Sequence, residues 1–194
     1  MTLREHSLKN AYIGEYKGLE YSYDFRNKTL AQFTADGWTA YEWTPSFNAD
    51  GIYGSSWTLR NKITLPLNLS NAKKITIIEN YKWTWSSAWT RSWLAVVSDM
   101  SHWNGVYLQW TARGIDLDST FTQITNSASD ATWTFTETLV LDLINKTYTA
   151  SWHWSYTRTL TDAQIASIKS VTWLYVMLYN SNYIRVSNIS LTVE

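Results

Sequence analysis

Aromatic side chains are the residues of this sequence best suited to molecular recognition. The 194 residues include 13 Trp, 13 Tyr and 5 Phe. Within 171–180, Trp173, Tyr175 and Tyr179 stand at alternate positions, and alternate residues of a strand share one face. Flat rings offer apolar surface to the C–H faces of sugars, while neighbouring polar groups bind the hydroxyls. The pattern therefore predicts an aromatic platform that binds glycans.

Four further residues are candidates for the same site. Tyr107 and Gln109 alternate in a second predicted strand, 106–110, and could lie on the same sheet face. Trp89 and Trp103 stand in segments rich in turn residues, and loops often carry binding groups. We predict Trp89 and Trp103 to be accessory ligand-binding residues.

The sequence leaves open which row of the 171–180 segment faces the core. Leu174, Val176 and Leu178 form a second apolar row, so either row could lie inside. Either way the outward row would be an exposed apolar stripe, and it would be an aromatic one, of the kind that marks binding surfaces, if the Trp173 row faces outward. The alternative is that this stripe packs against an N-terminal arm or a neighbouring subunit.

Residues for catalysis are sparse. Asp116 and Asp118 are two residues apart, but no Glu lies near them to complete the carboxylate pair of a glycoside hydrolase. His6, His102 and His153 lack metal-ligand spacing, and cysteine is absent. There is no nucleophile elbow, phosphate-binding loop or dinucleotide fingerprint. The sequence predicts a protein that is not an enzyme.

We expect no cofactor and no metal. Calcium is the one alternative, since the segments 48–51 and 99–104 contain oxygen ligands. Neither segment supplies a full coordination set by itself.

Charge and hydropathy exclude other classes of protein. Sixteen basic and sixteen acidic residues give a formal net charge of zero, which argues against a nucleic-acid partner. No run of eighteen apolar residues exists, so no membrane insertion is expected. The first residues lack the apolar stretch of a signal peptide.

Period-two alternation predicts the elements that would position these residues. At least ten short strands, rich in β-branched and aromatic residues, indicate an all-β, antiparallel two-sheet sandwich. Thr161 and Gln164 have capping-box spacing and predict one short helix near 162–169. A change of phase at Ser187–Asn188 predicts a bulge or a bend. We expect an arm or leading strand over 1–20 and the sandwich domain over 21–194.

Several segments resemble the concanavalin A-like lectin/glucanase superfamily, including its laminin-G-like members. They are 61–67, 74–78, the Trp-His-Trp of 152–154 and the closing 183–193. The resemblance implies a jelly roll of two curved sheets that binds glycans on its concave face or at loop tips. The Glu-x-Asp-x-Glu motif of the glucanase members does not occur in this chain, which argues against hydrolysis.

The opening segments 8–16 and 21–29 also look like structural proteins of phages and prophages. This resemblance implies a virion or extracellular location and attachment to a host surface polysaccharide. Two functions follow as expectations. The first is a non-catalytic carbohydrate-binding adhesion module. The alternative is a structural virion subunit, capsid or tail, whose aromatic stripe is an assembly interface with virion proteins or copies of itself.

Overall fold

The structure is a computed structural model that describes residues 18–40, 43–54, 61–83, 91–95, 105–109, 112–117, 120–125, 134–151, 155–179 and 183–194. Within strands, the side chains of 61–63, 83, 91–95, 105–109, 112–117, 120–125, 156 and 173–179 lie outside the described part. The described ranges contain fifteen strands and two helices. None of the described helices is long and apolar enough to cross a membrane.

The elements follow the chain in this order. The first half contains β1 (Leu19–Asp24), α1 (Leu30–Ala35), β2 (Thr39–Ala40), β3 (Ser46–Asn48), β4 (Gly51–Tyr53), β5 (Asn61–Pro66), β6 (Lys74–Trp83) and β7 (Arg91–Ala95). The second half contains β8 (Gly105–Gln109), β9 (Ala112–Leu117), β10 (Thr120–Thr125), β11 (Thr134–Asp142), β12 (Thr147–Ser151), β13 (Ser155–Thr159), α2 (Asp162–Lys169), β14 (Trp173–Tyr179) and β15 (Ile184–Val193).

The described strands form two antiparallel sheets. The eight-stranded sheet has the order β13-β12-β11-β6-β15-β4-β3, with β1 also paired to β15. The seven-stranded sheet has the order β10-β9-β8-β7-β14-β5-β2. This architecture confirms the predicted antiparallel β-sandwich.

The core lies between the two sheets. Ile77, Leu139 and Leu191 of the eight-stranded sheet are at most 1% exposed, and they belong to the same buried cluster as Leu65 of the seven-stranded sheet. Burying each such side chain contributes roughly 1.5–3 kcal/mol. In β11 buried positions alternate strictly with more exposed ones, as period-two patterning requires.

Both helices begin with the same capping box. At α2, Gln164 N donates to Thr161 Oγ1 at 3.2 Å and Thr161 N donates to Gln164 Oε1 at 2.9 Å. This confirms the helix predicted near 162–169. Helix α1 was not predicted, although Thr29 and Gln32 make the same two bonds at the same distances.

The long strand β15 organises the eight-stranded sheet. Its register against β6 shifts between Val186 and Asn188, which confirms the predicted bulge. The hydroxyl of Ser187 donates to the backbone oxygen of Asn80 at 3.0 Å, and Phe25 N donates to Ser187 O at 2.9 Å. The bulge is therefore held by strands on both sides.

An aromatic cluster joins β1 to α1 through Trp38, which stacks on Phe33 of α1 with ring centroids 6.0 Å apart. Tyr23 lies with its ring centroid 5.7 Å from that of Trp38, and Phe25 lies 5.1 Å from Trp38. The indole N–H of Trp38 donates to the hydroxyl of Tyr21 at 2.9 Å. Part of the aromatic content of the chain therefore belongs to the core rather than to a surface.

Candidate functional site

The register of β14 decides which of its two rows faces the core. Leu174 lies opposite Leu65 of β5, and Leu65 is a buried core residue. Residues opposite each other in a sheet lie on the same face. Successive residues of a strand alternate between the two faces of the sheet. Trp173, Tyr175 and Tyr179 are an odd number of positions from Leu174, so they occupy positions on the outer face of the seven-stranded sheet. Their side chains lie outside the described part of the structure.

Strand β7 lies between β14 and β8 and pairs with both. The two pairings together align Tyr107 and Gln109 of β8 with residues of β14. Arg91 lies opposite both Tyr179 and Gln109. Trp93 lies opposite Met177 on one side and Tyr107 on the other. Five predicted site residues therefore occupy positions on one sheet face: Trp173, Tyr175, Tyr179, Tyr107 and Gln109.

The register adds Arg91 and Trp93 to this face, and the sequence analysis missed both. Trp93 begins the continuous apolar run 93–97, which predicts a strand buried on both faces, and Arg91 lies outside that run. Such a run shows no alternation, so nothing in it marks one residue as outward. Only the pairing of β7 with β14, whose faces are assigned, shows that Arg91 and Trp93 occupy outer positions. We call the seven positions Trp93, Arg91, Tyr107, Gln109, Trp173, Tyr175 and Tyr179 the outer-face group.

Three described side chains report on the accessibility of this face. Thr64 lies opposite Tyr175 and Thr39, and only 9% of its surface is exposed. Thr39 and Pro66, at the margin, are exposed. Thr64 is therefore covered by neighbouring atoms, whereas Thr39 and Pro66 at the margin of the face are open to water.

The two loop candidates, Trp89 and Trp103, lie outside the described residues. Asp118 and the possible calcium segment 99–104 also lie outside them. The structure describes the backbone of Asp116 on β9, where it lies opposite Gly105 and Phe121.

The other possible calcium segment uses its oxygen atoms to hold a turn. Asn48 Oδ1 accepts from Asp50 N at 2.9 Å and from Gly51 N at 3.2 Å. Asp50 pairs with Lys82 at 2.9 Å. Among the described residues, no three His, Asp or Glu side chains are grouped as metal binding would require.

A buried pair of carboxyl groups is the main chemical feature that sequence reasoning missed. Glu79 and Glu137 lie directly opposite each other on β6 and β11, and both are 0% exposed. They are 58 positions apart in the sequence, so only strand pairing reveals them. Because neither carboxyl reaches the surface, a polysaccharide could not contact the pair without opening the sandwich.

The outer face of the eight-stranded sheet carries a separate charged cluster. The guanidinium of Arg185 lies 3.9 Å from the ring centroid of Tyr53, a cation–π arrangement. Burial lowers the pKa of Arg185. Arg185 also lies opposite Lys82. The predicted site residues whose backbone the structure describes all lie on the other sheet.

The sequence matches no protein-family model and no curated protein. Solved structures do match it. A protein of unknown function from Shewanella oneidensis MR-1 aligns with a TM-score of 0.60 and 14% identity, over 91% of this chain and 86% of that one. The metal-free carbohydrate recognition domain of Emp46p aligns with a TM-score of 0.61 and 12% identity, over 88% of this chain and 95% of that one.

A lectin in complex with galactose, UEA-II, aligns with a TM-score of 0.57 and 12% identity, over 91% of this chain and 98% of that one. At these identities the similarity establishes the fold alone. The chain has the β-sandwich fold of these structures, as its sequence predicts.

Proposed function

We propose that this protein is a non-catalytic carbohydrate-binding module whose ligand lies on the outer face of the seven-stranded sheet. The observation that carries the proposal is the register of β14, β7 and β8, which gathers the outer-face group on adjacent strands. Aromatic rings and an amide together suit a sugar, because rings stack on its C–H faces and the amide bonds its hydroxyls.

The fold supports the same function. Two of the similar structures are a carbohydrate recognition domain and a lectin in complex with galactose. Fold alone does not imply function, so the argument depends on the residues of the face. We propose further that Trp89 and Trp103 assist binding and that the module acts on a virion or an extracellular surface.

The test is a double variant, Trp173→Ala with Tyr175→Ala. We expect it to abolish retention on the polysaccharides that the unaltered protein binds in a glycan-array screen, with an unchanged circular dichroism spectrum. Tyr53→Ala is the matched control, because it removes an aromatic ring from the outer face of the other sheet. Retained binding in the double variant would reject the platform.

The second candidate function is an assembly interface formed by the same stripe. An aromatic row is compatible with this function, because obligate interfaces are large and apolar. Sedimentation separates the two functions. A monomer that shifts on adding polysaccharide supports the binding module. A stable trimer or larger oligomer that dissociates in the double variant supports a structural subunit.

A further inference from the structure

The end row of the outer-face group has an unusual balance of hydrogen-bonding groups. Arg91 lies between Tyr179 and Gln109 in one row across the sheet. A guanidinium carries five N–H donors and no acceptor, whereas a carboxamide carries two donors and one acceptor oxygen. The polar residues at these positions are therefore mainly donors.

A second cation lies on the same face. Lys62 lies opposite Met177, in the row that also contains Trp93 and Tyr107. At regular strand spacing, the backbone positions of Lys62 and Arg91 are about 12 Å apart. The described strands of this face contribute one carboxylate, Asp116, on β9 beyond β8. With two cations and one carboxylate at these positions, the described part of the face has a net positive charge, which favours an anionic ligand.

Neutral sugars fit this balance less well than acidic ones, because Gln109 and Asp116 are its main acceptors. Sugar hydroxyls donate as well as accept, so a site for neutral sugars needs acceptors such as carboxylates and amide oxygens. A carboxylate-bearing sugar fits it well, because a carboxylate only accepts and matches the fork of a guanidinium in two parallel bonds. Arginine can also stack on neighbouring aromatic rings while it binds.

We infer that the ligand of this face is an acidic polysaccharide with repeating sugar carboxylates, recognised by Arg91 with Lys62 as a second contact. The inference rests on the proposed function, because it specifies the glycan that the aromatic positions would bind. A polymer with regularly repeated carboxylates could reach both cations at once.

The experiment measures the affinity of the full chain for three uronate polymers: polygalacturonate, alginate and hyaluronan. The neutral comparison is methyl-esterified polygalacturonate, which keeps the sugar rings and loses the charge. We expect the acid form of at least one polymer to bind, and the ester to bind at least tenfold more weakly than polygalacturonate where that polymer is the ligand. Binding should weaken as salt is added, because salt screens exposed charges.

Variants assign the effect to one residue. Arg91→Gln should weaken uronate binding at least tenfold. The affinity of Arg91→Lys should lie between those of Arg91→Gln and the unaltered protein, because lysine keeps the positive charge but lacks the two-pronged guanidinium. Arg26→Gln is the control. It removes one positive charge from an exposed ion pair with Asp24, where Arg26 is 54% exposed. A thermal melt confirms that each variant is folded.

The outcomes separate this inference from the proposed function. If no uronate polymer binds, or if Arg91→Gln binds as tightly as the control, the acidic ligand is wrong. If neutral polymers bind equally well and Trp173→Ala with Tyr175→Ala removes that binding, the carbohydrate module stands and only the acidic specificity fails. If the double variant retains uronate binding, the platform itself fails.

Discussion

Glu79 and Glu137 lie directly opposite each other on neighbouring strands in the interior of the sandwich, and neither is exposed to solvent. Like charges directly opposite each other destabilise a sheet, and an ionised carboxylate is costly away from water unless it is paired. The ring of Tyr81, one row along, stacks on Phe135 with centroids 5.4 Å apart. The two carboxyl groups are therefore buried next to packed aromatic side chains.

Truncating one of these carboxyl groups should destabilise the fold. We expect Glu137→Ala to lower the free energy of unfolding by about 3 kcal/mol, because the cavity it leaves costs more than the relief of removing one of two facing carboxyl groups. Glu137→Gln should cost less, since the amide keeps the shape and can still form hydrogen bonds. Urea unfolding measures both, with the exposed Glu20→Ala as control. Equal stability of Glu137→Ala and the unaltered protein would contradict the prediction.

Two tyrosines of the aromatic cluster should ionise late in alkali. Burial raises the pKa of Tyr21 to about 12. Burial and the hydrogen bond that Tyr23 donates to Asp36 at 2.8 Å also raise the pKa of Tyr23. In the unfolded chain both would ionise near pH 10. The contribution of Tyr21 to stability is therefore complete below about pH 10 and is lost as pH rises through about 12, and that of Tyr23 is lost at higher pH.

Ultraviolet absorbance of tyrosinate measures this titration. The folded protein should show a fraction of its tyrosines ionising well above pH 10, and the same chain in urea should show a single step near 10. Coincident titrations of the folded and unfolded chains would show that these hydroxyls are not protected.

Gly51 should not tolerate a side chain. Its φ is +129°, and a Cβ there would lie 1.9 Å from the backbone oxygen of Val186, which precedes the bulge of β15. Gly37 is the matched control, because it has φ +93° but its nearest neighbour is Leu65 Cδ1 at 3.8 Å. We expect Gly37→Ala to cost about 1–2 kcal/mol from backbone strain. Gly51→Ala should cost clearly more, because β4 must move away from β15.

Thermal melts of the two glycine variants test this difference. Equal losses in both variants would mean that β4 moves away from β15 at little cost.

Each capping box should contribute about 1 kcal/mol. Thr161→Ala removes the oxygen that accepts from Gln164 N, and Thr29→Ala removes the equivalent bond to Gln32 N. Thr161→Ser and Thr29→Ser keep the hydroxyl, so their free energies of unfolding should be close to that of the unaltered protein. Urea unfolding compares the four variants, and an alanine variant as stable as its serine partner would exclude a contribution from that cap.

Patterns among neighbouring residues predicted the elements whose formation depends on those residues alone. Alternation in 134–142 predicts a half-buried strand, and the structure shows Phe135 and Leu139 buried there. The capping box at Thr161 predicts α2. The same signal at Thr29 was present but unused, because α1 has six residues and buries only Phe33, too little for a helical period.

Signals that depend on pairing could not be read from the sequence. Alternation continues through 148–156 and suggests one strand, but the chain reverses, since Ser151 lies opposite Ser155 in β12 and β13. Both rows of β14 are apolar, so only its pairing with Leu65 assigns them to faces. The opposition of Glu79 and Glu137 likewise exists only once β6 and β11 are aligned.

The first and last described strands run side by side, with Leu19 opposite Val193. The domain could therefore be inserted into a host protein through Leu19 and Val193 without forcing the two host positions that flank the insertion apart. Tension applied at Leu19 and Val193 would unzip β1 from β15 one residue pair at a time instead of shearing all pairs together. Strand β1 would then be the first element to detach under load, and its departure would uncover the aromatic rings that it shares with α1.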